Sequence, residues 1–356
     1  MIFGTIIDED LEEVYKRKET WEEYKDANVL ITGSYGMLAS YLVFFYIYLN
    51  EKYEYNINLY CQGRSSEKMM NRFGKYTKKS YFHGVYKNLD SKFSVDDNMD
   101  YVIHAASLAN PSHYAVRPIE VEEPNVIGTY YLLRMCEQMK IKKFLFFSSG
   151  DVYGEMEQST ENISEDMYGA VNQLDEHSCY GESKRMGETW CVSFFRERNI
   201  PTVIARIGHT YGPTMDIEND PRVFSTFVRN VINQEDIIML SDGKSRRPFC
   251  YIADSIAAFL LLLDEGKVGE AYNVCNDVEF ISIEELADTL VNITNNDVKV
   301  IKKQRDLKDN YVEANFNKAN KPISEKLRQI GWECKYDVQT GFGRVIKHLI
   351  NERRGL

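Results

Sequence analysis

Tyr180 and Lys184 stand four residues apart in Cys179-Tyr180-Gly181-Glu182-Ser183-Lys184, a spacing that puts both side chains on one face of a helix. A free phenol has a pKa of about 10 and is a poor base at neutral pH. A lysine ammonium beside it, together with any cationic ring bound nearby, favours the phenolate, so the expected pKa is lower. Tyr180 tuned in this way could take the proton from a substrate hydroxyl, with Ser149 holding that hydroxyl in line. The pair alone also fits an exposed helix that happens to carry Tyr and Lys. What positions these residues decides between the two.

The first positioning element is Asn28-Val29-Leu30-Ile31-Thr32, a short β-branched run that reads as a buried strand ending at Gly33. Met37 to Phe45 then has the composition of a largely buried helix. A strand, a tight glycine turn and a helix N-terminus together make an anion site. The first-turn amides lack partners, and the helix dipole favours a phosphate there. Gly33 permits the turn, Gly36 lets the backbone approach a pyrophosphate, and Ala39 keeps the third position small. Gly33, Tyr35, Gly36, Met37 and Leu38 are therefore candidate cofactor contacts. Similar turns also join ordinary strands and helices, so the rest of the chain must carry the case.

A second strand, Ile57 to Cys61, runs into Gln62-Gly63-Arg64-Ser65. An acid here would bond the ribose hydroxyls of NAD, whereas arginine accommodates the phosphate of NADP. Arg64 and Ser65 tilt the choice toward NADP, although Arg64 also fits a solvated loop beside NAD. A third strand, Tyr81 to Tyr86, ends near Asn88, and a fourth, Tyr101 to His104, runs into the small residues Ala105, Ala106 and Ser107. His104 reads as a packed residue. A helix over Val121 to Lys140 should bury Val126, Tyr130, Leu133 and Cys136, with Asn125 hydrogen bonded near the site. The fifth strand, Lys143 to Phe147, delivers Ser148-Ser149-Gly150-Asp151-Val152-Tyr153-Gly154 at its carboxyl end, where α/β sheets bind ligands. A sixth, Thr202 to Ile207, leads to His209 and Gly212-Pro213. Strands alternating with helices predict an α/β fold with a doubly wound parallel Rossmann sheet. Beyond residue 206 the alternation loosens. A basic, turn-rich segment, Ser241 to Phe249, precedes a capping box at Ser282-Ile283-Glu284-Glu285. No repeat or clean linker separates this part, so a smaller domain interleaved with the first is expected.

A net charge of −11 argues against a nucleic-acid partner. The apolar run Tyr41 to Leu49 is far short of the ~20 residues that span a bilayer, so it is expected to be a core helix and no membrane partner is expected. Seven scattered cysteines without C-x-x-C spacing favour reduced thiols and a cytoplasmic location over a disulfide framework or zinc site. Residues 1–26 read as an N-terminal helical extension whose charged face is solvated.

The motifs T-G-x-x-G-x-x-A at Thr32, H-A-A-S at His104, S-S-G-D-V-Y-G at Ser148 and Y-x-x-x-K at Tyr180 occur in an order that resembles the extended short-chain dehydrogenase/reductase family. The likeness continues through Gly212-Pro213, Arg247 and Tyr272-Asn273-Val274. It implies an NAD(P)-binding Rossmann domain over 27–205, with a return near 248–264. It further implies a nucleotide-sugar domain from 206–247 and 265–356, and a homodimer paired through two helices of each subunit. Ser149, Tyr180 and Lys184 become the implied catalytic set, and Ala105, Ala106, Ser107 and Asn125 join the cofactor contacts. Within the family the chain is most similar to UDP-glucuronate decarboxylases, through Pro124 to Thr129, Cys179 to Glu188 and Arg246 to Asp254. That likeness places Asp151 at an active-site glutamate position and Arg247 at a diphosphate-binding arginine, with Ser107, Ser149, Gly150 and His209 facing the substrate. Departures are present as well. Gly150 stands where 4,6-dehydratases carry an acid, His209 where an asparagine is usual, and Thr214 where an arginine is expected. The implied activity is transient oxidation of a nucleotide sugar at carbon-4 by tightly bound NAD(P), without a metal, and decarboxylation as its outcome. A 4-epimerase, an NADP-dependent reductase and a cofactor-binding regulator without chemistry are the alternatives.

Overall fold

The computed structural model describes residues 2–157, 159–294, 297–303 and 320–354. Seven parallel strands form the central sheet: β1 (Asn28–Thr32), β2 (Asn58–Gln62), β3 (Phe82–Val85), β4 (Tyr101–His104), β5 (Lys143–Ser149), β6 (Thr202–Ile207) and β7 (Ala271–Val274). Their spatial order is β3-β2-β1-β4-β5-β6-β7. Leu30 of β1 pairs with Tyr60 on one side and Val102 on the other. The order reverses between β1 and β4, and such a reversal opens a ligand crevice at the carboxyl ends of the strands. The expected doubly wound sheet is therefore present. β7, however, lies within 265–356, so that stretch supplies a strand to the main sheet as well as the smaller domain.

Alternate side chains of each strand enter opposite cores, because successive residues of a strand point to opposite faces. Along β5, Leu145 and Phe147 join the core shared with α2 (Met37–Tyr53) and α8 (Ile252–Asp264). Phe144 and Phe146 join the core beneath α5 (Thr129–Cys136) and α6 (Ser178–Arg198). α2 is buried all round from Ala39 to Leu49, as a core helix must be.

The N-terminal helix α1 (Thr5–Tyr15) covers α2 and is less solvated than its charge suggests. Asp10 is fully buried and accepts hydrogen bonds from Tyr41 (2.5 Å), Tyr251 (2.6 Å) and Arg344 (2.6 Å). Arg344 belongs to the last helix, Val338–Arg353, so this extension ties both ends of the chain to the Rossmann core. The smaller domain is built on short ladders, including Arg246–Arg247 against Ile281–Ser282. Its capping box forms as expected: Glu285 N–H donates to Ser282 Oγ (3.1 Å) and Ser282 N–H to Glu285 Oε2 (2.6 Å). Among the described residues, no helix is long and apolar enough to cross a membrane.

Candidate active site

Gly33 adopts a left-handed φ of +62°, and a Cβ there would lie 2.7 Å from Ala106 Cα. The loop therefore lies directly on the end of β4. Gly36 N–H donates to Gly33 C=O (2.8 Å) and closes the turn. No side chain caps α2 at Gly36, which leaves the first amides of that helix, Met37 and Leu38 among them, for a ligand. Gln62, at the end of β2, is spent within the protein. Its Oε1 accepts from Gly33 N–H (3.0 Å) and its Nε2 donates to Lys87 C=O (2.6 Å). The Tyr35 ring lies over Gly63, and its hydroxyl accepts from Arg64 N–H (3.2 Å). Ser65 caps the next helix, Ser66–Phe73, by accepting from Lys68 N–H. The Arg64 side chain is exposed, with no hydrogen bond or ion pair among the described residues. Asn88 is also exposed, beside Asp90.

Thr32 Oγ1 accepts from the amides of Ala105 and Ala106 (3.1 Å each), so its one proton goes to His104 Nδ1 (2.8 Å). The other ring nitrogen, Nε2, must then donate to Pro124 C=O (2.9 Å). Burial, with Lys184 nearby, lowers His104 to about 3, so the ring is neutral and structural, as expected. An unfolded chain protonates this histidine below its ordinary value of 6.5, whereas the folded protein does so only near 3. Stability is therefore expected to fall as pH drops from 6.5 toward 3, with no contribution from this group above that window. Urea unfolding at pH 7 and pH 5 checks it: His104→Gln should lose less stability between the two than the wild type.

The helix carrying Asn125 is not regular. After α4 (Pro118–Glu123) comes a π turn, Pro124–Gly128, and only then α5. The wide turn shifts the register, so Val121, Asn125, Thr129 and Leu132 are buried while Val126 and Tyr130 are only partly covered. Pro124, which has no N–H to donate, opens that turn. Asn125 Nδ2 donates to Val121 C=O (2.9 Å) and Ser183 Oγ (3.0 Å), and Ser183 donates in turn to Tyr180 C=O (2.9 Å).

α6 is pinned against β5 at close range. A Cβ on Gly187 would come within 2.4 Å of the Phe146 ring, so only glycine allows the approach. One residue on, Glu188 accepts from Ser148 Oγ (2.6 Å) and from both Arg206 Nε (3.0 Å) and Nη2 (2.8 Å). This half-buried clamp fixes the helix one turn from Lys184, whose Nζ donates to Phe147 C=O (2.7 Å). The Tyr180 ring stacks on Tyr114 at 5.0 Å and 12°. Tyr114 itself donates to Ala109 C=O (3.1 Å) from the loop that follows β4.

The phenol differs from expectation. Burial, reinforced by the Asp151 charge, pushes Tyr180 above its ordinary value, while the Ser149 hydrogen bond and Arg222 only partly offset this. Lys184 lies 5.7 Å from the Tyr180 ring centroid and is itself lowered to about 7 by burial. The protein alone therefore does not make Tyr180 a base. A cationic ring is the second partner that the expectation invoked. The Asp151 carboxyl is raised by desolvation against the pull of Arg247 and Lys184, although the residue keeps an exposed surface. His209 is held below its ordinary value by desolvation, Arg247 and Arg222 although the residue stays exposed, so at neutral pH it is a neutral ring.

Ser149, Tyr180, Lys184, Asp151, His209 and Arg247 are therefore close enough to act on one another electrostatically or through hydrogen bonds. Ser107, in the loop after β4, has a buried hydroxyl with no hydrogen-bond partner among the described residues. Gly150 faces open space: a Cβ there meets nothing within 4 Å. Thr214 is turned away, its Oγ1 donating to Met37 C=O (3.2 Å). Sequence reasoning missed Tyr114, Arg222 and the Glu188–Arg206 clamp. The first two lie in irregular segments that carry no periodic signal.

A Rossmann sheet with a close-packed glycine loop, an uncapped helix N-terminus and a Tyr-Lys pair at the same edge defines a dinucleotide-binding protein. The chain belongs to the NAD dependent epimerase/dehydratase family, whose sequence model matches residues 29–275. It is 31% identical over 261 residues to UDP-glucuronic acid decarboxylase 1 of Arabidopsis thaliana, covering 72% of this chain and 57% of that protein. A match to dTDP-D-glucose 4,6-dehydratase of Dictyostelium discoideum reaches 28% identity over 75% of this chain and 62% of that one. The chain thus spans little more than half of the first of these relatives. In fold it is similar to UDP-glucose 4-epimerase of Thermotoga maritima, with a TM-score of 0.75, 20% identity and coverage of 92% of this chain and 99% of that one. UDP-glucuronic acid 4-epimerase of Bacillus cereus, solved with NAD, gives 0.74 at 20% identity, covering 92% and 98%.

Proposed function

We propose that this protein is a nucleotide-sugar decarboxylase that oxidises UDP-glucuronate transiently at carbon-4. The observation that carries this reading is that Ser149 bonds the Asp151 amide and Tyr180 at the carboxyl end of β5, with the charges of Asp151 and Lys184 acting on each other there. The identity to UDP-glucuronic acid decarboxylases supports the choice of sugar. Tyr180 takes the proton of the carbon-4 hydroxyl, which Ser149 holds in line, and Lys184 supports the phenolate. NAD(P), when bound, supplies the acceptor for the carbon-4 hydride and later returns it. Its phosphates would meet Gly33, Tyr35, Gly36, Met37 and Leu38, and Ala105, Ala106, Ser107 and Asn125 would border its other half. A ketone at carbon-4 makes the carboxylate on carbon-5 a β-keto acid. The bond to carbon dioxide breaks, its electron pair moves toward the ketone oxygen, and carbon-5 takes up a proton. Asp151, with its raised carboxyl, is the group that holds this proton. Arg247 takes the diphosphate, and Gly150 and His209 line the sugar.

NADP is the cofactor we favour over NAD. Gln62 is committed to Gly33 and Lys87, while Arg64 stands uncommitted beside the capped helix start at Ser65. The reading extends to a cytoplasmic homodimer. Seven free cysteines support the compartment, and exposed Ile119 and Ile127 beside α6 support pairing through these helices.

One experiment tests reaction and cofactor together. Protein incubated with UDP-glucuronate should release carbon dioxide and give a UDP-pentose by mass spectrometry, with NADP recovered from the denatured enzyme. Unchanged UDP-glucuronate would remove the decarboxylase reading in favour of a 4-epimerase or reductase, and bound NAD would remove the role of Arg64.

A further inference from the structure

Arg222 precedes helix α7 (Val223–Asn233) and takes no part in the reading above. Its guanidinium stacks on Phe224 at 4.7 Å, and the Phe224 ring meets Phe249 at 5.7 Å. Phe249 in turn meets the His209 ring edge-on at 5.9 Å. An aromatic row therefore connects Arg222 to the substrate side of the cleft. Asp220 fixes the guanidinium: Nε donates to both of its carboxylate oxygens (3.0 and 2.9 Å) and Nη2 to Oδ2 (2.6 Å). Asp220 is itself held by the Arg222 amide (3.0 Å) and Ser225 Oγ (2.9 Å). With one edge of the fork fixed, Nη1 has no hydrogen-bond partner among the described residues, and the side chain stays 35% exposed.

The other cleft cations are engaged. Lys184 donates to Phe147 C=O (2.7 Å), and Arg247 Nη1 donates to Ser245 Oγ (2.5 Å) and Arg246 C=O (2.7 Å). The charge of Arg222 also acts on Tyr180, Tyr114 and His209, which places it toward the Tyr180 side of the cleft. In a hexose whose carbon-4 hydroxyl meets Tyr180, the substituent on carbon-5 is the next group along the ring, whereas a diphosphate on carbon-1 lies across it. We propose that Arg222 is a specificity-determining residue that receives a carboxylate on carbon-5 of the sugar, selecting uronates over neutral hexoses. The inference rests on the placement of the sugar under the proposed function. Asp220 cancels much of the long-range pull on any anion, so selection comes from directional N–H donation to a planar carboxylate.

Calorimetric binding of UDP-glucuronate, UDP-glucose and UDP to the wild type, Arg222→Gln and Arg222→Lys tests this without requiring turnover. The wild type should prefer UDP-glucuronate to UDP-glucose. Arg222→Gln should lose about 30- to 100-fold for UDP-glucuronate, with UDP-glucose and UDP unchanged, and Arg222→Lys should fall between. Unchanged UDP binding also shows that each variant is folded. Equal losses for all three ligands would overturn the proposal by assigning Arg222 to the diphosphate, and an unchanged uronate preference would overturn it outright. A wild type that prefers the uronate yet releases no carbon dioxide would sink the decarboxylase reading and leave this one standing.

Discussion

Turnover by Tyr180→Phe is expected to fall by about a thousandfold or more, with cofactor content unchanged. The substitution removes one oxygen and little else. The ring that stacks on Tyr114 at 5.0 Å remains, as does the hydrogen bond from Ser183 to the residue 180 carbonyl. Lys184 keeps its bond to Phe147, so α6 has no reason to move. The glycine loop lies on the end of β4, where Gly33 meets Ala106. What disappears is the phenol oxygen that bonds Ser149 and that would accept the hydroxyl proton. Because Tyr180 is pushed up by burial and by Asp151, the residual wild-type activity at low pH should be small and should rise with pH as the phenolate forms. The mutant should show no such limb. Steady-state rates from pH 5 to 9, read beside the absorbance of released cofactor, decide the matter. Activity retained within tenfold would remove Tyr180 as the base.

Much of this site was legible because its signals are local. A β-branched run, a glycine turn and an apolar helix lie consecutively in Asn28 to Leu49, and each constrains the next. The capping box at Ser282 and Glu285 needs only four residues, and it formed as read. What escaped depends on contacts that sequence distance hides. β7 pairs with β6 although α7, α8 and several short ladders intervene. The π turn at Pro124 moved the buried face of its helix by inserting a wider turn that no periodicity marks. Asp10, one acid in a run of charged residues, is buried because two tyrosines and an arginine from three other elements converge on it. The same limit explains the phenol of Tyr180. Four-residue spacing puts Lys184 on its face of the helix, but only the packing shows that burial outweighs that charge.

Gly33→Ala should cost the protein its cofactor, and Gly74→Ala should not. Both glycines have positive φ, +62° and +53°, so both substitutions carry backbone strain, and at Gly74 a ψ of −126° places it outside the αL region that an L-residue tolerates best. They differ in what the new methyl meets. At Gly74 nothing lies within 4 Å, whereas at Gly33 the methyl would sit 2.7 Å from Ala106 Cα and 3.0 Å from Ala106 N. Those are backbone atoms held by Thr32, whose hydroxyl bonds the Ala105 and Ala106 amides, so no side chain can swing aside. The loop itself must lift. Lifting it strains the Gly33 N–H bond to Gln62 and moves the uncapped start of α2 away from the phosphates it would hold. Overpacking of this kind costs about 1–3 kcal/mol, and at about 1.4 kcal/mol per decade cofactor affinity should fall by about 5- to 140-fold. The ratio of absorbance at 260 and 280 nm in purified protein reads cofactor content, and thermal unfolding of both variants reads the backbone strain of each. If Gly33→Ala retains full cofactor, the glycine loop is not the phosphate cradle, and the proposed chemistry loses the partner that Tyr180 needs.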